Sequence, residues 1–200
     1  MSVSEKNGLS SPLVGGYASR LWYNGDMKSR GFEIAKGWED RDIRLPRRST
    51  AHAAGYDIEA GADVLVPCFR PGIAPTLIPT GLKAYCQPDE CYFVFNRSSG
   101  AGKGLVLANG VGVIDADYYG NPTNDGHFGV LVFNVSDHDL QIKKGDRIAQ
   151  VIFQKFLLAD DDQATGARLG GFGSTDLSTP NGSATPTAPN KNPGGGGSSD

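Results

Sequence analysis

The 200-residue sequence lacks the features of several specialised protein classes. No apolar run approaches the roughly 18 residues of a transmembrane helix, so we expect no contact with a membrane. No apolar stretch of roughly 7–15 residues stands near the start, so we expect no secretory signal and a cytoplasmic location. The three cysteines, Cys68, Cys86 and Cys91, form an odd set without a Cys-x-x-Cys pair. Reduced thiols are therefore expected rather than a disulfide or a zinc site.

The excess of one sign of charge over the other is also small. The formal net charge is −3, so no basic stripe indicates DNA or RNA as a partner. The sequence has 28 glycines and 12 prolines instead. This density interrupts helices and favours short strands and turns.

Composition divides the chain into four expected regions. Residues 1–30 are a polar extension that we expect to be poorly ordered, and residues 31–160 carry the β-rich pattern. Residues 161–175 form a glycine-rich arm that we expect to be mobile. Residues 176–200 are a low-complexity tail with almost nothing to bury, so disorder is expected.

Short runs rich in Val, Ile, Leu and Phe recur roughly every ten residues in the central region. Turn residues separate the runs, and Pro79–Gly81 is one expected turn. This spacing predicts an all-β jelly roll or distorted barrel, with one short helical turn over Ser98–Lys103 capped by Ser98 or Ser99. The predicted strands are Tyr56–Ala60, Asp63–Val66, Leu82–Cys86, Cys91–Phe95, Leu105–Ala108, Val130–Val135 and Arg147–Phe156.

One glycine-rich hairpin carries the most informative chemistry. In it an apolar pair, Val113 and Ile114, is expected to be buried and to deliver Asp115, Asp117 and the ring of Tyr118 to the hairpin end. One carboxylate can act as a base while the other stays solvated. Four further segments stand out along the chain, namely Ala54–Asp57, Arg97–Lys103, Gly145–Gln150 and Arg168–Thr175.

Two of these segments suit phosphate. Arg97 offers a bidentate fork beside two serine hydroxyls and small residues that let backbone N–H groups approach an anion. An exposed arginine on a surface turn is the alternative, and taken alone the segment favours it. In the arm, Arg168 can wrap a terminal phosphate and Phe172 can stack on a base, whereas a flexible linker would explain only the glycines.

Taken together, the order and spacing of the five segments resemble the trimeric deoxyuridine triphosphatases (dUTPases) over about residues 54–175. The resemblance implies a jelly-roll homotrimer with three active sites at subunit interfaces. It also implies magnesium-dependent hydrolysis of dUTP to dUMP and pyrophosphate. That activity would keep uracil out of DNA and supply dUMP for thymidylate synthesis.

The resemblance also implies residue roles. Asp115 would activate the water that attacks the α-phosphorus, and Asp57 would orient Mg²⁺ through its water shell. The ring of Tyr118 would pack against deoxyribose and leave no room for a 2′-hydroxyl. The uracil and deoxyribose site would comprise Asn109, Gly112, Val113, Ile114, Tyr118 and Phe172. The phosphate site would comprise Arg97, Ser98, Ser99 and Gln150, with Arg168, Gly173, Ser174 and Thr175 closing from a neighbouring subunit.

Other functions compete with this hypothesis. A dCTP deaminase shares the fold but needs a glutamate after the hairpin, and no Glu occurs between Ala116 and Arg168. A regulatory protein could keep the nucleotide pocket and act through partners, and a purely structural β-protein would leave the five segments unexplained. The segment Asn121–His127 is longer than in compact dUTPases, and the sequence assigns it no role.

Overall fold

A computed structural model describes residues 22–23, 26–166 and 168 of the chain. This part consists of β-strands joined by turns, with one short α-helix and one 3-10 turn. No helix among these residues has the length and apolar character needed to cross a bilayer. The strands are β1 (Trp22–Tyr23), β2 (Asp26–Met27), β3 (Gly31–Ile34), β4 (Tyr56–Glu59), β5 (Val64–Val66), β6 (Thr76–Tyr85), β7 (Glu90–Asn96), β8 (Leu105–Leu107), β9 (Gly112–Asp115), β10 (Phe128–Asn134), β11 (Leu140–Ile142) and β12 (Arg147–Lys155). Helix α1 spans Ser98–Ala101, and the 3-10 turn spans Ala116–Tyr118.

Two four-stranded sheets form the body of the fold and enclose its core. One has the strand order β3-β6-β10-β8, and the other has the order β4-β12-β7-β9. Two small sheets pair β5 with β11 and β1 with β2. The strand pairs are antiparallel. The predicted all-β jelly roll is confirmed, and so is a helical turn within Ser98–Lys103.

The core lies between the inner faces of the two sheets. Side chains alternate along β10, so Phe128 and Val130 are buried while Leu131 and Phe133 face outward. The ring of Phe128 packs at a steep angle against Tyr92 of β7, with 5.7 Å between ring centroids. Full burial of such a side chain stabilises the fold by about 1.5–3 kcal/mol relative to exposure. The alternation fixes the register of β10.

The turn predicted at Pro79–Gly81 is wrong, because β6 continues through it. The pairing of β6 with β10 shifts register between Phe128 and Gly129, which is a bulge in the ladder. Gly81 takes the left-handed conformation there, with φ of 72°. A bulge tolerates proline because the ladder is already interrupted, so the same residues that read as a turn bend a long strand instead.

The strands β3 and β11 were not predicted, because each is very short and is stabilised by its neighbours rather than by its own pattern. Phe32 of β3 joins an aromatic cluster, with ring centroids 5.4 Å from Tyr56 and 5.3 Å from Phe153. The predicted domain boundaries at residues 30 and 160 stay predictions. Most of residues 1–30 and all of residues 176–200 lie outside the described residues.

An ion pair between exposed Arg30 and buried Glu90 connects the chain before β3 to the start of β7. Glu90 is only 3% exposed, and Arg30 Nε donates to its Oε2 at 3.0 Å. The hydrogen bond from Arg30 holds the pKa of Glu90 below its ordinary value, although burial opposes this. In the same turn, burial raises the pKa of the Cys86 thiol to about 12. The three cysteines are free, as predicted.

Candidate functional site

A pocket of about 290 Å³ opens beside β9 and the turn that follows it. Its volume is close to the lower end of the range for small-molecule sites, about 300 Å³. Three polar side chains, Asn109, Asp115 and Arg168, stand around an apolar interior. That interior includes Val94, Leu107, Ile114, Tyr118, Phe128 and Leu131. The pocket therefore suits a flat, mostly apolar ring with a few polar edges.

The hairpin leading into β9 offers main-chain groups to this pocket. β9 is the edge strand of its sheet and pairs with β7 on one side. A sheet edge presents backbone donors and acceptors that no strand has taken. Glycine at position 112 lets the main chain lie close to two side chains of the pocket. An added Cβ would stand 3.1 Å from Val94 Cβ and 3.5 Å from Asn109 Nδ2. The backbone of β9 and the Asn109 amide can thus read the edge of a base.

The expectation that Val113 and Ile114 are both buried is wrong for Val113. Successive side chains on a strand point to opposite faces. Ile114 packs against the core, whereas Val113 is 59% exposed. Both residues still line the pocket, Val113 from its open side.

Two carboxylates stand at the pocket rim and share one arginine. Asp115 ends β9, and Asp117 lies in the 3-10 turn that follows. Arg168 pairs with Asp115 through its terminal nitrogen, and its Nε donates to Asp117 Oδ1 at 2.6 Å. Burial works to lower the pKa of Arg168, but the hydrogen bond and charge of Asp117 and the charge of Asp115 raise it overall. Here Arg168 contacts carboxylates of its own chain, and the closure of the arm over the site of a neighbouring subunit stays a prediction.

Tyr118 forms part of the pocket wall and is nearly buried, with 6% of its surface exposed. The 3-10 turn brings it back over the core three residues after the edge strand ends. Its hydroxyl donates to the carbonyl of His127 at 3.1 Å. The ring is therefore held at both ends, by core packing and by a hydrogen bond.

A second polar cluster, the phosphate cluster, lies where β4, β7 and β12 meet. It consists of Ser49, Asp57, Arg97, Ser98, Ser99, Arg147 and Gln150. Arg97 Nε lies 2.8 Å from Asp57 Oδ1, and Arg147 donates to Asp57 Oδ2 at 3.2 Å. Ser98 and Ser99 are exposed on α1, whose N-cap is Arg97, so the predicted serine cap is wrong. Two arginines and two exposed hydroxyls on one surface are suited to oxyanions.

Gln150 is held in this cluster by a close approach of two strands. It pairs directly with Asp57 across the β4–β12 ladder. Its Nε2 donates to the carbonyl of Asn96 at 3.0 Å. A Cβ added at Gly55 would stand 2.4 Å from Gln150 Oε1, so a larger residue there would displace this amide. Packing against Gln150 therefore explains the glycine at position 55, and nothing in the sequence indicated this contact.

Asp115 and Arg97 lie towards opposite ends of β7. Asp115 pairs with Cys91 near the start of that strand, whereas Arg97 directly follows Asn96 at its end. Six residues of extended chain span about 20 Å, at roughly 3.4 Å per residue. This spacing separates Asp115 from Arg97 along the backbone of one chain.

Residues of the arm complete the set of predicted site positions. Phe172, Gly173, Ser174 and Thr175 lie outside the described residues. Sequence reasoning assigned no role to Ser49 or Arg147, which the structure places in the phosphate cluster. Arg147 lies within the segment Gly145–Gln150, so its positive charge is the signal that could have indicated a site residue.

The chemistry of Asp57 limits how it could serve a metal ion. Its Oδ1 accepts from Arg97, and its Oδ2 accepts from Ser49 at 3.0 Å and from Arg147. A carboxylate has about four acceptor positions, so three are occupied. Among the described residues no group of three or more His, Cys, Asp or Glu is arranged to hold a metal ion. This donor set fits a cation held by phosphate oxygens, with Asp57 reached through water.

Comparison with known proteins gives consistent results. A family model described as dUTPase matches residues 41–176. The deoxyuridine 5'-triphosphate nucleotidohydrolase of Lactococcus lactis subsp. lactis (strain IL1403) is 51% identical over 152 residues, which cover 74% of this chain and 99% of that protein. The crystal structure of a Streptococcus mutans dUTPase is 44% identical with a TM-score of 0.60, over 65% of this chain and 98% of that one. A mutant dUTPase from phage phi11 of S. aureus, studied for its structural Mg(II) ion, shares the fold with a TM-score of 0.53 and 19% identity, over 70% and 98% of the two chains.

Proposed function

This chain belongs to the dUTPase family, and on that premise we propose that it hydrolyses dUTP to dUMP and pyrophosphate, with Asp115 as the general base. One observation carries the assignment of the site. Asp115 stands at the mouth of a nucleoside-sized pocket whose wall is an edge strand. No other described carboxylate lines this pocket.

Uracil is selected by the hairpin. The Asn109 amide and the free edge of β9 present donors and acceptors that match uracil and mismatch cytosine. A mismatch would leave buried polar groups unpaired, which costs about 1–3 kcal/mol for each group. Tyr118 packs against the deoxyribose, and Phe172 covers the base from the arm.

Asp115 takes a proton from the water that attacks the α-phosphorus. Its side chain is 54% exposed, so water can reach it, and a base must lie within about 3 Å of the proton it accepts. The pairing with Arg168 opposes this role until substrate binds. A triphosphate offers Arg168 a stronger anionic partner, so its binding would release Asp115 to the water.

The phosphate cluster acts on a nucleotide held by a neighbouring subunit. The separation of about 20 Å along β7 supports this arrangement, since a single chain cannot bring Arg97 to Asp115. Arg97, Ser98, Ser99 and Gln150 then hold the phosphates across an interface. Each site of the homotrimer is shared between chains.

An apolar surface beside the pocket supports the homotrimer. Leu77 and Leu131 pair across β6 and β10, and Phe133 follows on the same outward face. Leu77 is 46% exposed, and Phe133 packs edge-on against Phe69, which is 52% exposed. Exposed apolar patches of this kind mark interfaces. Leu131 also lines the pocket, so a subunit packed on this face would adjoin the nucleotide.

Magnesium is the proposed cofactor. When bound to the phosphates it would neutralise charge and fix the leaving group. The acceptor position left on Asp57 suits a contact through one water. Removal of dUTP would keep uracil out of DNA. The product dUMP would be available for thymidylate synthesis.

Pyrophosphate release tests the proposal. We expect turnover of dUTP with Mg²⁺, little turnover of UTP, dCTP or dTTP, and a large loss of dUTP turnover without the metal. Asp115→Asn should abolish turnover while dUTP still binds, as measured by calorimetry, because general-base catalysis contributes about 10²–10⁴-fold.

Asp117→Asn is the matched control, since Asp117 lies two residues away and pairs with the same arginine. It should keep most of the turnover. If instead Asp115→Asn releases pyrophosphate at a near-wild-type rate, the assignment of the base is wrong.

A further inference from the structure

The loop Asn121–His127, here called the asparagine loop, folds onto the turn that carries Tyr118. The amide of Asn124 is its centre. Asn124 Nδ2 donates both to the Tyr118 hydroxyl at 2.8 Å and to the His127 carbonyl at 2.9 Å. The Tyr118 hydroxyl donates to the same carbonyl. The phenol oxygen therefore has a donor and an acceptor fixed in place.

The orientation of Asn124 is itself fixed from its other side. Its Oδ1 accepts from Asn121 Nδ2 at 2.7 Å and from the backbone N–H of Gly126 at 3.1 Å. Asn121 is 5% exposed, and its Nδ2 also donates to the Tyr118 carbonyl at 3.0 Å. An amide with two donors and two acceptors in use holds one rotamer.

Close backbone contact presses the asparagine loop against the tyrosine turn. Gly126 has φ of 82°, in the left-handed region. A Cβ there would stand 2.8 Å from the Tyr118 carbonyl oxygen and 2.9 Å from the Gly120 nitrogen. Only glycine meets both requirements. The approach leaves little freedom for the ring to tilt out of the pocket wall.

The other side of the asparagine loop is anchored to the sheet β3-β6-β10-β8. Asp125 Oδ2 accepts from Lys83 Nζ at 2.7 Å. The ring of His127 packs against Trp38, and its Nε2 accepts from the Gly81 N–H at 3.0 Å. Burial lowers the pKa of His127, which keeps the imidazole neutral and able to accept. The loop therefore connects Tyr118 to a rigid part of the fold.

We propose that the asparagine loop positions Tyr118 against the sugar, with Asn124 as the residue that sets the dUTP-over-UTP selectivity of the enzyme. The inference rests on the proposed function, in which Tyr118 contacts deoxyribose. A 2′-hydroxyl is excluded only if the ring cannot move aside. Fixing the phenol oxygen on a rigid loop supplies that resistance, because a ring free to tilt would admit the extra oxygen atom.

The test measures kcat/KM for dUTP and for UTP in the full-length protein. Asn124→Ala should lower the dUTP/UTP ratio about threefold to tenfold, the range expected for one hydrogen bond. The change should come from a higher kcat/KM for UTP and a higher KM for dUTP. The kcat for dUTP should stay within about twofold, since Asp115 is untouched.

Thr123→Val is the matched control in the same loop. It removes the hydrogen bond from Thr123 Oγ1 to Asn121 Oδ1, at 2.6 Å, without touching Tyr118. Its dUTP/UTP ratio should equal that of the wild type. If Asn124→Ala does not fold, Asn124→Asp keeps the shape but puts an oxygen in place of the nitrogen that donates to the Tyr118 hydroxyl and the His127 carbonyl, and it should shift the ratio in the same direction.

A double-mutant cycle separates positioning from general loop stability. In a Tyr118→Phe background, which lacks the hydroxyl, Asn124→Ala should change the ratio by less than about twofold. Additive effects of the two changes, or an unchanged ratio in folded Asn124→Ala, would overturn the role of the loop while leaving dUTP hydrolysis intact. A wild type that releases no pyrophosphate from dUTP would overturn the proposed function as well.

Discussion

Glu90 is a carboxylate that the fold buries almost completely, so its charge needs a fixed partner. Arg30 supplies one through two hydrogen bonds, although 47% of the Arg30 side chain remains exposed to solvent. Glu90 Oε2 also accepts from the backbone N–H of Gln87. Breaking such a pair is destabilising mainly because it leaves a buried charge uncompensated.

The stability of the fold should therefore depend on pH through Glu90. Its folded-state pKa lies below the unfolded value of about 4.3, so its stabilisation is complete above that pH and is lost as the pH falls through the folded-state pKa. Arg30→Met should lower the thermal midpoint at pH 7 by roughly 5 °C. The difference from wild type should shrink as the pH falls through the folded-state pKa of Glu90, because both proteins then protonate this carboxylate.

Two further variants serve as controls for this prediction. Lys155→Met breaks the nearby Lys155–Asp89 pair, whose side chains are 68% and 57% exposed, and should change the midpoint little. Arg30→Met combined with Glu90→Gln should remove the pH dependence of the difference. A difference for Arg30→Met that stays constant as the pH falls from 7 until the fold unfolds in acid would contradict the role of the carboxylate.

Among secondary structure elements, the arm and the hairpin have different tasks. β9 is part of a four-stranded sheet, and Ile114 packs against the core. The start of the arm, residues 161–166, is exposed, and Arg168 reaches the carboxylates at the pocket. The hairpin should therefore matter for stability and function, and the arm mainly for function.

Truncation tests this division. A chain that ends at Ala167 should lose most dUTP turnover, because it lacks Arg168 and Phe172, while its thermal midpoint stays close to that of the full chain. A chain that ends at Thr175 should keep its turnover, because residues 176–200 are predicted to play no part in the site. Unchanged turnover in the shorter protein would refute a role for the arm, as followed by pyrophosphate release.

For the whole molecule, the separation of Asp115 from Arg97 along β7 favours the proposed sharing of sites between chains. Asp115→Asn and Arg97→Ala subunits should each be inactive alone. When they are co-expressed at equal levels, a site can take its base from one chain and its phosphate cluster from the other. Random assembly would restore about one quarter of the sites.

Two measurements check this complementation. Pyrophosphate release should reappear in the mixed protein and stay absent when the same two proteins are mixed without subunit exchange. Light scattering should give about three times the chain mass of 21.1 kDa. If exchanged subunits of proven trimeric mass remain inactive, the site is not divided between Asp115 and Arg97 of different chains.

The sequence by itself determined the fold class, the family and the main chemical groups, because these depend on local pattern. Alternation marks strands, and spaced motifs keep their order. Thus β10, α1 and the segment around Asp115 were foreseen. Pairing between strands that lie far apart in the chain leaves less trace in the sequence. The bulge that carries β6 past Pro79 depends on its partner β10, and glycine at position 55 depends on a glutamine 95 residues away.

Only the tertiary structure decided which groups stand together. It exposed Val113, joined Arg147 and Ser49 to Asp57, and placed Asp115 and Arg97 at opposite ends of one strand. It also showed that the asparagine loop contacts Tyr118 through the amides of Asn124 and Asn121 and the carbonyl of His127. Sequence order records which chemical groups a chain carries, but distances between them follow from strand pairing and packing, which involve residues far apart in the chain.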